Sequence, residues 1–204
     1  MIEVIGLNKQ FVTNVVYRDY NKVFSSQKIC IEAPNGQGKT TLLMMLAGLE
    51  TYESGELLFS GNALTEPHKQ VAIASDSIAL PDFLTAKQII NLSSNTFGCC
   101  WPTAIIDGFN FNEFLNTRFD ALSSGNQKKC QLILALMRDA PYLLLDEPSA
   151  ALDQASIEYL LILLDEYLVN KPQGQIIITC HEPEPFLLHG FECTREQVKA
   201  TNFS

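Results

Sequence analysis

Hydrophobic residues in the first third of the chain come in short β-branched runs broken by turn residues. Lys28 to Glu32 reads as a strand, and a loop from Ala33 to Gly38 follows it directly. Lys39 to Leu49 contains the run LLMMLAGL, apolar all round, which predicts a buried helix. Ser54 to Gly61, SGELLFSG, carries glycines at both ends of a short apolar run and reads as one strand of a surface hairpin. Val71 to Ala74 predicts a further short strand.

From Thr85 the period changes. Thr85 and Gln88 have the spacing of a capping box in front of AKQIINL, and FNEFLNTRF near Phe111 repeats a helical pattern. Residues 80–119 therefore read as a small helical insertion. Asn126 to Arg138 predicts a helix with Leu132, Leu136 and Met137 as apolar positions, ended by Asp-Ala-Pro at Pro141. Tyr142 to Asp146 follows as a buried strand, Ile157 to Val169 as an apolar helix, and Gln175 to Thr179 as a strand of the kind found inside a parallel sheet. Strand and helix thus alternate through the second half. That order predicts an α/β fold in one domain over residues 1–204, with a mostly parallel sheet, an N-terminal antiparallel β hairpin region and the helical subdomain inserted in the core.

Composition narrows the function. The 204 residues are 47% hydrophobic, enough for a substantial core, and the formal net charge is -9 with Lys and Arg scattered. No basic face is left to neutralise a phosphate backbone, so direct nucleic-acid binding is disfavoured. The six cysteines, Cys30, Cys99, Cys100, Cys130, Cys180 and Cys193, form no C-x-x-C pair and read as free thiols of a reducing compartment. No segment reaches the roughly 18 apolar residues of a membrane span, and the first residues have no leader character. A cytoplasmic protein is expected, with any membrane role reached through a partner.

APNGQGKTT, Ala33 to Thr41, lies between a strand and a helix, the context in which a phosphate-loop match becomes a mechanism. The backbone of Asn35, Gly36, Gln37 and Gly38 would cradle an anion at a helix N-terminus. Lys39 would reach the β and γ phosphates of ATP, the hydroxyl of Thr40 would ligate Mg2+, and Thr41 would bind the nucleotide beside it. Ala33 stands where the strict pattern has glycine, which Pro34 makes tolerable by holding residue 33 extended. YLLLDEP then supplies Asp146 for the metal shell and Glu147 to orient or deprotonate a water. These two motifs alone fit many P-loop enzymes.

LSSGNQKK, Leu122 to Lys129, narrows the class, because it resembles the LSGGQ signature of ATP-binding cassettes, with Ser124 and Asn126 as departures. SAALD, Ser149 to Asp153, resembles the family's D-loop, and Cys180-His181 after QIIIT resembles its switch-histidine segment. From about Ile2 to His181 the chain is similar to the ATP-binding-cassette nucleotide-binding domain. The resemblance implies a head-to-tail dimer with ATP between the copies, contacted by Ser123 and Gly125 of the opposite one, with Asp153 beside the nucleotide. It also implies Glu147 and His181 as the catalytic pair, and a membrane-embedded permease that would hold the protein at the inner face of the cell membrane. Asp76 falls where the family has a Mg2+-touching glutamine and is carried as a metal ligand beside Thr40 and Asp146. Phe11 is the candidate for stacking on adenine, with Tyr17 behind it, though both fit a core equally well.

The brevity of the chain, with one helical insertion and about twenty residues after His181, resembles the haem-exporter ATPase type of cytochrome c maturation, as does GKTTLLMMLAGLETYESGELLFSG. Peptide and antibiotic exporters share that similarity. A soluble cassette ATPase of translation, DNA repair or iron-sulfur assembly is the other class; the acidic charge and the lack of a second cassette or coiled-coil arm speak against the first two. A P-loop kinase would need a lid with arginines, and the chain has only Arg18, Arg118, Arg138 and Arg195.

Overall fold

The structure is a computed structural model that describes residues 1–12, 14–34 and 36–195. In chain order its elements are β1 (Ile2–Phe11), β2 (Asn14–Phe24), β3 (Lys28–Glu32), α1 (Lys39–Leu46), β4 (Ser54–Phe59), α2 (Pro67–Gln70), β5 (Val71–Ala74), α3 (Ala86–Phe97) and α4 (Thr103–Gly108). Two 3-10 turns, Asn112–Phe114 and Phe119–Ala121, lead to α5 (Ser124–Leu136), β6 (Tyr142–Asp146), α6 (Gln154–Asn170), β7 (Gln175–Cys180), α7 (Glu184–Leu188) and β8 (Glu192–Arg195). Among the described residues no helix is long and apolar enough to cross a membrane.

Two sheets divide the strands. An antiparallel sheet runs β2-β1-β4, and a parallel sheet runs β5-β6-β7-β3-β8. The central strands β6 and β7 are buried along their whole length, which is why they read as uninterrupted apolar runs. Side chains alternate across this sheet. Leu143, Leu145, Ile176 and Ile178 pack with α3, α5 and α6 on one face, while Leu144, Ile177, Ile29 and Ile31 pack with α1 and the antiparallel sheet on the other.

Three features depart from the sequence reading. β1 and β2 are far longer than short β-branched runs suggest, because register shifts between Val4 and Leu7, and at Gly6 and Asp19 with φ of 56° and 46°, break the period-2 pattern. FNEFLNTRF gives only a 3-10 turn; Phe109 and Phe111, both wholly buried, anchor this stretch to the core instead of forming a helix face. The expectation of six free thiols is corrected: Cys30 and Cys180, 150 residues apart, are joined in a disulfide. Neighbouring parallel strands put both side chains into the same core, a proximity that sequence spacing does not reveal. Cys99, Cys100, Cys130 and Cys193 are free, and burial pushes the Cys130 thiol up to about 12.

The capping box is present: Gln88 N donates to Thr85 Oγ1 at 3.3 Å, and Thr85 N donates to Gln88 Oε1 at 2.9 Å. It starts α3 where the sequence placed it.

Candidate nucleotide site

All five strands of the parallel sheet point the same way, so the loops leaving β3, β5, β6 and β7 meet at one edge. Ligands of open α/β sheets bind beyond such carboxyl ends. The loop after β3 turns through Gly36 and Gly38, at φ of 77° and 81°, into α1. Glycine is required at 38 twice over: φ is left-handed, and a Cβ would lie 2.5 Å from Val16 Cγ1. Tyr17, 3% exposed, donates its hydroxyl to Gly38 O at 3.0 Å and so braces the loop from below.

No side chain caps the start of α1, which leaves its first N–H groups for an anion. Above them lies a cavity of about 210 Å³ lined by Phe11, Asn14, Val16, Pro34, Gly36 to Thr41 and Glu147. Lys39, 6% exposed, turns its ammonium onto the carbonyls of Ala33 and Pro34. The wall holds a half-exposed aromatic, the floor a cation and helix-start amides, which suits a nucleoside phosphate. Asn35 lies outside the described residues.

Behind this floor, Asp146 is 8% exposed and its carboxylate is held by three hydroxyls. Thr40 Oγ1 donates to Oδ2 at 2.9 Å, Ser75 Oγ to Oδ2 at 2.8 Å, and Thr179 Oγ1 to Oδ1 at 2.7 Å. Three hydroxyl donors fix the direction in which a buried carboxylate points. Thr179 also accepts from Glu147 N at 2.9 Å, which fixes the next residue. Glu147 sits at φ 48°, a left-handed conformation that costs a non-glycine residue about 1 kcal/mol or more and recurs at functional sites. Its Oε1 lies 2.9 Å from His181 Nε2. An acid poised by its backbone and oriented by an imidazole can position or accept a proton from water.

The remaining candidates are placed differently. Ser123 caps α5, its hydroxyl accepting from Asn126 N at 3.3 Å, and Gly125 packs against Ala151, whose carbonyl a Cβ would meet at 2.6 Å. Neither lines the cavity over the phosphate loop. Asp153 caps α6, accepting from Ser156 N at 2.8 Å, and lies 3.2 Å from Lys129 Nζ. The Ser156 backbone N–H, then the Ser156 hydroxyl and Lys129, hold its carboxyl down at about 2. Asp76, expected beside the metal, is turned to Lys128 at 2.8 Å, and its neighbour Ser75 faces Asp146 instead. Phe11 is 44% exposed at the cavity mouth with Lys9 Nζ 4.5 Å from its ring centre.

Sequence reasoning missed Ser75, Thr179 and Lys128. Thr179 closes the QIIIT run and pairs directly with Asp146 in the β6–β7 register, a pairing the sequence does not display.

Comparison with known proteins gives the class. The family model described as ABC transporter matches residues 21–150. ABC transporter I family member 1 of Arabidopsis thaliana is 30% identical over 164 residues, 76% of this chain and 70% of that protein. The cytochrome c biogenesis ATP-binding export protein CcmA of Paracoccus denitrificans (strain Pd 1222) is 31% identical over 153 residues, 75% of this chain and 69% of that one. A solved dimeric ATP-binding cassette in a post-hydrolysis state, bound to ADP and Pi, superposes with a TM-score of 0.82 at 18% identity, covering 97% of this chain and 94% of that one, a likeness of fold. The chain belongs to the ABC transporter family. Within it, the chain is of the ATP-binding, ATPase kind.

Proposed function

We propose that this chain hydrolyses ATP as a two-copy cassette and drives a separate membrane-embedded permease. The observation that carries the reading is the Asp146 carboxylate held by Thr40, Ser75 and Thr179 next to the strained Glu147 and its His181 partner.

Lys39 leaves the Ala33 and Pro34 carbonyls to meet the β and γ phosphates, and the amides of Gly36 to Thr41 receive the phosphate oxygens. Thr40 and Asp146 would hold Mg2+, which supplies charge neutralisation to phosphoryl transfer. Asp76 could join that shell only by leaving Lys128. Glu147 orients or deprotonates the attacking water, and His181 steadies Glu147 and the developing phosphate charge. Phe11 lies where a base could stack. Ser123 and Gly125, off the chain's own cavity, serve the nucleotide of the other copy, with Asp153 at the same junction.

The permease would seat in a second cavity, of about 270 Å³, between β5, α3 and α5 and lined by Ile73, Ile78, Leu80, Pro81, Ile89, Leu92, Phe97 and Leu134. That contact would hold the chain at the inner face of the cell membrane. The similarity to a cytochrome c biogenesis export protein supports export linked to cytochrome c maturation.

The test is capture of the Glu147→Gln protein with ATP and Mg2+ from detergent-solubilised native membranes, with partners identified by mass spectrometry. A polytopic membrane protein supports the transporter motor, and a haem-handling one the subclass. Recovery of soluble proteins alone overturns the permease and favours a cytosolic assembly ATPase.

A further inference from the structure

Lys128 is unusual for a lysine: it lies in the second turn of α5, is 3% exposed, and has two acceptors, Asp76 Oδ1 at 2.8 Å and the Asp146 carbonyl at 3.3 Å. Buried cations persist only when paired. The dependence is one-sided, because the Asp76 side chain is 70% exposed and water can serve it. The lysine needs the aspartate more than the aspartate needs the lysine.

Asp76 also belongs to a loop with two other contacts. Ser75, 1% exposed, donates to Asp146 Oδ2, and Ile78, Leu80 and Pro81 line the groove beside α3. Gln131, less than one turn beyond Lys128 on α5, lines the same groove with its Oε1 buried and, among the described residues, without a partner.

Resting on the ATPase reading above, we propose that Lys128 and Asp76 are a positioning pair for hydrolysis: the ammonium pins the loop so that Ser75 faces Asp146. Lys128 touches neither substrate nor metal. It acts on the backbone of one site residue and, through Asp76 and Ser75, on the carboxylate of that same residue.

The test is steady-state ATP hydrolysis, with nucleotide binding measured by a fluorescent ATP analogue, for full-length Asp76→Asn, Lys128→Gln and the double variant. Each single change is expected to lower kcat about tenfold, the scale for groups that orient metal-site ligands, with KM for ATP unchanged. The double variant, in which two amides can bond and no charge is buried, is expected to recover most of the loss, so the effects are not additive. If Asp76→Asn strands Lys128 and fails to fold, Lys128→Gln carries the test, since it leaves only a solvated carboxylate. An active wild type whose variants keep its kcat, lose KM in step with kcat, or combine additively overturns the pair alone. A wild type that does not hydrolyse ATP overturns the proposed function and the pair with it.

Discussion

The carboxyl ends of the parallel strands and the stretch between residues 80 and 119 are built on opposite rules. At the strand ends the buried groups are polar and bonded to one another: Thr179 is 0% exposed, Ser75 1% and Asp146 8%, and each has a named partner. In the helical stretch the buried groups are apolar, Ala86, Ile89, Ile90 and Ile106 beside the wholly enclosed Phe109 and Phe111, while Phe83, Leu92 and Phe97 stay partly exposed. Directional bonds fix geometry and suit a site that must not move. Apolar packing is non-directional, and an exposed apolar face is the kind of surface on which interaction sites are found.

The contrast can be broken most strongly at Phe109, which meets Tyr159 edge-on with ring centres 5.1 Å apart. Phe109→Ala is expected to cost about 3–5 kcal/mol in urea denaturation, with nucleotide affinity of the folded fraction retained. Thr179→Val keeps shape but removes one bond to Asp146 and one from Glu147 N. A loss of about 1–3 kcal/mol is expected, and here hydrolysis slows as well.

Asp153 joins the two regions through Lys129, which also bonds Phe109 O at 3.2 Å. Asp153→Ala is expected to cost about 1 kcal/mol for the lost cap, and Asp153→Asn less. The folded carboxyl titrates near 2, below its ordinary 3.8, so its stabilisation is present above about 3.8 and fades as pH falls toward 2. An acid-denaturation curve of Asp153→Asn should lack that contribution; solvent exposure of the group keeps it small. Leu92→Gln, at an exposed groove position, should leave stability within about 0.5 kcal/mol and hydrolysis unchanged while reducing capture of the membrane partner.

The same contrast explains what could be read in advance. β3 and β5 were legible to the residue, because their apolar runs are bounded by turn chemistry. Lys39, Thr40, Asp146 and Glu147 were legible as motifs, and the fold brings Thr40 and Asp146 into contact. Ser75 and Thr179 were not, since a hydroxyl on a strand end shows its role only when parallel register sets it beside a carboxylate. The Cys30–Cys180 bridge was hidden for the same reason. In the helical stretch FNEFLNTRF kept an apolar period without a helix, because Phe109 and Phe111 are held by tertiary burial. The pairing of Asp76 with Lys128 could not be read either, because the lysine comes from another element.

The most direct test of the account is phosphate release by purified wild type and Glu147→Gln with Mg2+ and ATP, followed alongside the oligomeric state. Release is predicted to fall about 100-fold or more in the variant. ATP binding should persist, with a nucleotide-dependent dimer more populated than in wild type. Unchanged release from Glu147→Gln, or a chain that stays monomeric with ATP bound, would contradict it.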